Sequence, residues 1–228
     1  MTAGAATRVL YVYAITDSLA APSATGLHGA PLRRIKSGGL AAVISEHPIA
    51  LEPDEDLLWA HEQVVEDLMS SATILPLRFG SSVERAEDLI AMLSERREEF
   101  VDALERVRGA VELSVRVQLP ASPSRDPQRA SLRPRSGTAY LLERAEQERR
   151  GREAVDLVHR PLLRLARRCT SPVSARDPGK FKAAYLVDKG VTERFGERVG
   201  ELNAGLDEVK VSCTGPWPPY SFVAERSA

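Results

Sequence analysis

The four histidines of the chain are the residues best suited to proton transfer or metal binding near neutral pH. They are His28, His47, His61 and His159. None stands at a metal-ligand spacing from a second histidine, a cysteine or a pair of carboxylates. His61 is the strongest candidate, because it shares a predicted helix face with leucines and valines. A buried, neutral histidine that is structural is the more common outcome at such a position, and catalysis is the alternative.

Arg78 is the second charged residue in an apolar setting. It lies within the run Ile74-Leu-Pro-Leu-Arg-Phe-Gly80. A buried guanidinium without a partner is costly, so the sequence predicts a structural buried arginine paired with a carbonyl or with a carboxylate, for which Glu62 and Glu66 are candidates. An arginine that binds a ligand is the alternative.

No other pattern in the chain points to catalysis or to a cofactor. Gly26-Leu-His-Gly29 lacks a following helix, and Gly38-Gly39 is explained by a hairpin, so neither is a nucleotide-binding loop. Gly-x-Ser-x-Gly, Cys-x-x-Cys and His-Glu-x-x-His are absent from the sequence. We therefore predict no catalytic residues, no cofactor, no metal and no enzymatic activity.

The composition of the chain limits the cellular compartment and the classes of partner to be expected. The chain has 228 residues, 31 basic and 32 acidic, so its net charge of −1 gives no general attraction to nucleic acid or to acidic membranes. Its apolar runs fall short of the roughly 20 residues needed to cross a bilayer. The two cysteines, Cys169 and Cys213, fit a reducing cytoplasm, although the sequence leaves a disulfide between them open. We expect a cytoplasmic protein that binds neither nucleic acid nor membrane.

The elements that must position these residues begin with a predicted strand, Arg8–Ile15. Gly38-Gly39 joins two further strand-like runs and indicates a tight hairpin. A helix is predicted from Pro53 onward, with acidic residues at its start. A short strand follows at Ile74–Phe79, and a second helix, capped by Ser82, is predicted to end at Gly109. Residues 1–108 are thus predicted to form an N-terminal α+β domain with a small mixed sheet and two helices.

The second half predicts the order β-α-β-β-α-β from Val111 to Cys213, which is the ferredoxin-like arrangement. A long helix runs from about Thr138, and Pro161 is predicted to kink or divide it. The loop at about 120–134 is interpreted as an insertion. Residues 109–228 are therefore predicted to be a modified ferredoxin-like domain that ends in an aromatic and proline-rich tail.

That tail, Thr214-Gly-Pro-Trp-Pro-Pro-Tyr-Ser-Phe-Val223, holds three aromatic residues and three prolines within ten positions. Proline excludes a regular helix or a central strand, so we predict a rigid segment whose rings pack on another surface. Either they pack on the chain's own sheet, or they anchor a partner. The candidate residues for tail packing or partner binding are Trp217, Pro218, Tyr220 and Phe222.

Several of these motifs, in this order, resemble the gas vesicle protein F/L family. They are Leu10-Tyr-Val-Tyr13, Gly39-Leu-Ala-Ala-Val43, His61-Glu62, the run that ends at Gly80, Ser136-Gly-Thr-Ala-Tyr-Leu-Leu142, Ala183-Ala-Tyr-Leu-Val187 and the closing tail. The resemblance covers about residues 8–223, and the tail is its most specific part. The connections 120–134 and 176–180 have no obvious family pattern.

The resemblance implies an accessory or structural protein of gas vesicle assembly, located in the cytoplasm and at the gas vesicle. Its expected partners are the hydrophobic major shell protein, whose aggregation it would limit or whose nucleation it would help, and other accessory gas vesicle proteins. The resemblance also implies two α+β domains and no established catalytic residues. Two alternatives stay open at this point: a ferredoxin-like module that binds a small regulatory ligand, and an enzyme that uses His61 and Arg78.

Overall fold

The chain divides into two compact units that both combine helices with a sheet. The computed structural model describes residues 8–18, 25–48, 51–118, 137–170, 173–174, 180–206 and 209–223. The first unit comprises Met1–Ala110 together with Trp217–Ala228, and the second comprises Val111–Pro216. The C-terminal residues from Trp217 onward therefore belong with the first unit, and not with the second domain as the sequence predicted. The predicted insertion at 120–134 lies outside the described residues.

The first unit is built on an antiparallel sheet of five strands, in which β1 is central. The strands are β1 (Val9–Thr16), β2 (Arg33–Ser37), β3 (Leu40–His47), β4 (Ile74–Pro76) and β5 (Ser82–Val83). Their order is β2-β3-β1-β4, and β5 also pairs with β1. The hairpin predicted from Gly38-Gly39 is confirmed, because these glycines join β2 to β3 with φ angles of 58° and 85°. β1 is rich in β-branched and aromatic residues and is almost wholly buried.

Three helices pack with this sheet: α1 (Glu55–Ser71), α2 (Ala86–Glu95) and α3 (Arg97–Val107). The Asp54 side chain caps α1 by accepting a hydrogen bond from the Leu57 amide at 2.7 Å. The prediction of one helix capped by Ser82 is wrong. Ser82 lies in β5, opposite Tyr11 of β1, and the helix is interrupted at Arg96, whose φ and ψ are −105° and 23°. Both helices bury one apolar face, so the sequence alone does not reveal the interruption.

The second unit carries the second sheet, of order β10-β6-β9-β7 with β8 also paired to β9. Its strands are β6 (Ala110–Gln118), β7 (Arg168–Cys169), β8 (Val173–Ser174), β9 (Lys180–Asp188) and β10 (Lys210–Trp217). Two helices accompany them, α4 (Gly137–Leu163) and α5 (Thr192–Gly205). Pro161 lies inside α4, which continues through it, so of the two predicted outcomes, a kink or a division, the division does not occur. The short strand β7 was not predicted.

The glycine at the hairpin allows a direct test of the first unit. Gly39 has a φ of 85° and open space around its Cα, so Gly39→Ala adds backbone strain without a clash. We expect it to lower the free energy of unfolding by about 1 kcal/mol. Gly196 lies on an exposed position of α5 with equally open surroundings, and Gly196→Ala should raise stability by about 0.5–1 kcal/mol. Urea unfolding measures the change in the free energy of unfolding for each variant. Changes of the same sign in Gly39→Ala and Gly196→Ala would contradict the positive φ assigned to Gly39.

Candidate functional site

The residues Trp217–Val223, here called the C-terminal segment, pack within the first unit. Pro218 and Pro219 are buried, and Phe222 is only 6% exposed. Tyr220–Phe222 form a single 3-10 turn, in which the Phe222 amide donates to the Pro219 carbonyl at 3.0 Å. Trp217 differs from the other two aromatic residues of the segment, Tyr220 and Phe222, because 38% of its surface stays exposed. The two predictions for the tail thus separate by residue: most of it packs on the chain itself, whereas Trp217 keeps accessible surface.

Two polar contacts fix the C-terminal segment on α1, and one fixes it on α3. The Tyr220 hydroxyl donates to Glu62 Oε1 at 3.1 Å and lies 3.3 Å from His61 Nε2. An Arg106 nitrogen donates to the Phe222 carbonyl at 3.2 Å. Burial raises the pKa of the Tyr220 hydroxyl, and the negative charge of Glu62 raises it further, so this hydroxyl keeps its proton and donates. Tyr220 therefore joins the end of the chain to the inward side of α1.

His61 is the centre of this arrangement and is only 1% exposed. Its Nε2 lies 3.1 Å from the Leu77 carbonyl, which can only accept, so Nε2 carries the proton. Its Nδ1 therefore accepts from the Tyr11 hydroxyl at 2.9 Å, and the Gly80 amide donates to that hydroxyl at 3.2 Å. Burial lowers the pKa of His61, and its bond to Leu77 opposes that shift. Both ring nitrogens are engaged inside the core, which suits a structural role better than proton transfer to a substrate.

A second polar chain lies beside the first and ends at His47. The Leu27 amide donates to the Tyr13 hydroxyl at 2.8 Å, and this hydroxyl is 2.8 Å from Ser45 Oγ. Ser45 Oγ in turn lies 2.7 Å from His47 Nε2. The Tyr13 ring also stacks on His61, with ring centroids 5.8 Å apart. These groups satisfy one another, as buried polar side chains must.

Arg78 does not join this cluster. The structure places it at an exposed position, so the prediction of a buried structural charge is wrong. The carboxylate expected to pair with it, Glu62, accepts from Tyr220 instead. The reason lies in the backbone: β4 ends at Pro76, and the chain turns at Arg78, whose carbonyl accepts from Ser81. Sequence reasoning missed Tyr11 as the partner of His61, although a tyrosine in a buried strand needs a partner for its hydroxyl.

The second unit contains a cysteine and a histidine close together. His159 Nδ1 lies 2.7 Å from the Tyr185 hydroxyl, and its Nε2 lies 3.9 Å from Cys169 Sγ. Burial raises the pKa of the Cys169 thiol and lowers that of His159, so the pair is held neutral and not as a thiolate with an imidazolium. The hollow beside them has space for about one water molecule, which is too small for a metabolite.

Both cysteines are free thiols. Cys213 lies on β10 and Cys169 on β7, at opposite ends of the strand order. Three strand spacings of about 4.8 Å separate such positions by roughly 14 Å, and a disulfide requires Cα atoms within about 7 Å. The disulfide that the sequence left open is therefore excluded in this fold.

Among the residues that the structure describes, three or more His, Cys, Asp or Glu side chains nowhere gather in a group that could hold a metal ion. Likewise, none of the described helices combines the length and the apolar character required to cross a membrane. What the first unit does assemble is a buried polar cluster that fastens the C-terminal segment beneath α1.

Comparison with known proteins defines the class of this chain as a gas vesicle protein. It is 32% identical to gas vesicle protein L of Streptomyces sp. (strain CB03234), over 94% of this chain and 92% of that relative. It is 28% identical to gas vesicle protein F of the same strain, over 85% and 88% of the two chains. The family model described as "Gas vesicle synthesis protein GvpL/GvpF" matches residues 9–224. The chain therefore belongs to the GvpL/GvpF family, as the sequence motifs indicated.

Two solved structures of gas vesicle proteins have the same fold as this chain. The crystal structure of the gas vesicle protein GvpF from Anabaena sp. PCC7120 superimposes with a TM-score of 0.81 at 19% identity, over 95% of this chain and 98% of that one. The GvpF structure from Microcystis aeruginosa gives 0.78 at 18% identity, over 95% and 99%. The mixed helix-and-sheet fold is thus shared. Family membership implies a role in gas vesicle formation, and the family description names synthesis of the vesicle and no catalysed reaction.

The neutral state of His61 predicts how stability changes with pH. Burial holds its pKa below the value of about 6.5 that the unfolded chain has, so below pH 6.5 the unfolded state binds a proton that the folded state resists. Stability is then fully present above pH 6.5 and falls on acidification, by up to about 1.4 kcal/mol per pH unit. His61→Gln should remove this part of the slope.

Unfolding in urea at pH 7.5, 6.5 and 5.5 measures the effect. The other groups at the site stay the same in both proteins, including Glu62, whose pKa is raised by burial and which therefore favours folding on acidification. A variant with the same dependence on pH as the unaltered chain would show that His61 is not held neutral by burial.

Proposed function

We propose that this protein acts in gas vesicle assembly by binding the hydrophobic major shell protein in the cytoplasm, and that this contact limits aggregation of the shell protein or helps its nucleation. A shell subunit that lines a gas space exposes apolar surface before it is assembled, and such surface aggregates in water. A protein that covers this surface transiently would prevent that. Other accessory gas vesicle proteins are further partners in this proposal, and no enzymatic step is part of it.

The observation that carries the proposal is the position of the C-terminal segment. Tyr220 fixes this segment on the inward side of α1, and Trp217 at its start keeps 38% of its surface exposed. A large aromatic side chain on a fixed backbone is a common binding anchor, because little conformational entropy is lost when it is covered. We assign Trp217 to partner contact, Pro218 and Phe222 to packing, and Tyr220 to support of α1.

The second unit is assigned a modified ferredoxin-like fold. Its elements follow in the order β6-α4-β7-β8-β9-α5-β10, and its sheet order places the first and third main strands, β6 and β9, side by side. That arrangement supports the split β-α-β pattern, with β7 and β8 sharing the place of the second strand. We propose it as a scaffold, since the hollow beside His159 is too small for a metabolite and the fold alone assigns no ligand.

Co-sedimentation with the major shell protein tests the proposed activity. The shell protein is diluted from denaturant into buffer with the full chain or with a variant, and the fraction in the pellet is measured. We expect the unaltered chain to keep the shell protein in the supernatant, and Trp217→Ala to weaken this effect several-fold, as loss of an aromatic anchor does. Ile90→Ala, which removes a similarly exposed apolar side chain from α2, is the matched control.

The outcomes separate the parts of the proposal. If the unaltered and folded chain leaves the shell protein in the pellet, the chaperone-like mechanism is wrong. If the chain protects the shell protein and Trp217→Ala protects it equally well, the assignment of Trp217 to partner contact is wrong and the C-terminal segment only packs. Equal losses in the Trp217→Ala and Ile90→Ala variants would show a general dependence on apolar surface.

A further inference from the structure

The outward face of α1 exposes two large apolar side chains. Leu58 is 44% exposed and Trp59 is 62% exposed, which makes Trp59 the most exposed large hydrophobic residue among the described residues of the first unit. Tryptophan is highly buried on average in folded proteins. The inward side of α1 is already occupied by the core, where His61, Val64, Val65 and Leu68 are buried. The packing of α1 in the core therefore does not use Leu58 and Trp59.

Carboxylates surround Trp59 on this face. Glu55 stands four residues before it and Glu66 seven residues after it, so both lie on the same side of the helix, whereas Glu62 accepts a hydrogen bond from Tyr220. Residues 51–71 contain seven acidic side chains and no lysine or arginine. The positive end of the helix dipole favours acidic residues in the first turn, but it does not reach Glu66. The face is thus apolar at its centre and negative around it.

The acidic side chains of α1 lack the ion pairs found on the other helices. Each of α2, α3, α4 and α5 carries an arginine–carboxylate pair on itself or at its cap: Arg85–Asp88, Arg96–Glu99, Arg149–Glu146 and Arg198–Glu201. Within the described residues, no ion pair neutralises Glu55, Asp56, Glu62 or Glu66 of α1. Among the described residues, the other α-helices thus compensate some of their acidic charge with arginine, and α1 does not.

We propose that the outward face of α1 is a docking surface for a basic amphipathic helix of a protein partner. An apolar side chain of the partner would cover Leu58 and Trp59, and lysine or arginine side chains would meet Glu55, Asp56 and Glu66. Cations also bind favourably over the face of a tryptophan ring. That this partner is a gas vesicle protein rests on the proposed function. The chemistry of the partner follows from the residues of α1 itself.

The charge of this face selects among the classes of partner. An anionic membrane surface and a nucleic acid are both repelled by it. An apolar partner without charge would gain nothing from the acidic residues, which cost energy by mutual repulsion at helical spacings. A helix with one apolar stripe flanked by basic residues satisfies both halves of the surface, as in other interactions where a helix binds through its apolar face.

Synthetic peptides test this surface without knowledge of the natural partner. The probe is a fluorescent amphipathic peptide of about 18 residues of leucine and lysine, long enough to form a helix on binding. The matched probe has glutamate in place of lysine. We expect the full chain to bind the lysine peptide and not the glutamate peptide, with an affinity that falls as salt is raised. Trp59→Ala should weaken binding by at least about tenfold.

Charge reversal on α1 is compared with the same reversal elsewhere. Glu55→Lys with Glu66→Lys should also weaken binding by about tenfold or more. The control is Glu193→Lys with Glu197→Lys on α5, which changes the net charge equally and likewise alters one first-turn and one later residue of a helix. Ile90→Ala is the apolar control. We expect both controls to bind the lysine peptide as the unaltered chain does, and circular dichroism verifies that each variant is folded.

Three results would overturn the inference: no binding of the lysine peptide, equal binding of the glutamate peptide, or equal losses in the α1 and α5 charge variants. Co-sedimentation with the shell protein distinguishes this failure from failure of the proposed function. If the shell protein is retained by the chain and the α1 variants retain it equally, the proposed function stands and the α1 surface is not its site. If the lysine peptide binds at α1 but the shell protein does not bind at all, the surface stands and its partner is another protein.

Discussion

A buried histidine that must satisfy both of its ring nitrogens organises the first unit. His61 of α1 meets Tyr11 of β1, the Leu77 carbonyl just after β4 and the hydroxyl of Tyr220. A buried polar group without partners costs about 1–3 kcal/mol, so these contacts must form together. The requirement brings the first strand, the first helix and the end of the chain to one point, although Tyr220 lies 159 positions beyond His61 in sequence.

The same arrangement connects the fold with the proposed assembly role. Because Tyr220 and the core occupy the inward side of α1, Leu58 and Trp59 on its outward side remain exposed, near the acidic residues Glu55 and Glu66. The family shows a role in gas vesicle formation, and the outward face of α1 is the surface that we propose for an apolar and basic partner. The polar cluster then acts as a support, since both nitrogens of its histidine are already engaged and its tyrosine hydroxyls keep their protons.

Features that depend on residues close together in the sequence were predicted correctly. The hairpin at Gly38-Gly39 and the acidic start of a helix just after Pro53 depend on neighbouring residues, and the structure has both. Pairing between segments that are distant in the chain could not be predicted from the sequence. Ser82 became part of a strand because β1 offers it backbone partners, and Arg78 stayed outside because the chain turns before it could reach Glu62. The composition of the aromatic tail identifies it as a distinct segment. Its packing against α1 depends on contacts between distant residues, which hydrophobic periodicity does not predict.

The contacts of Tyr220 with His61 and Glu62 imply that the C-terminal segment holds α1 in place. Amide hydrogen exchange of the unaltered chain and of the Tyr220→Ala variant measures this directly, because protection reports the local free energy of opening. We predict faster exchange along α1, at the amides of residues 59–70, while exchange in α5 of the second unit stays the same and acts as an internal reference. Unchanged protection of α1 in a folded variant would contradict this role of Tyr220, since the segment would then contact α1 without supporting it.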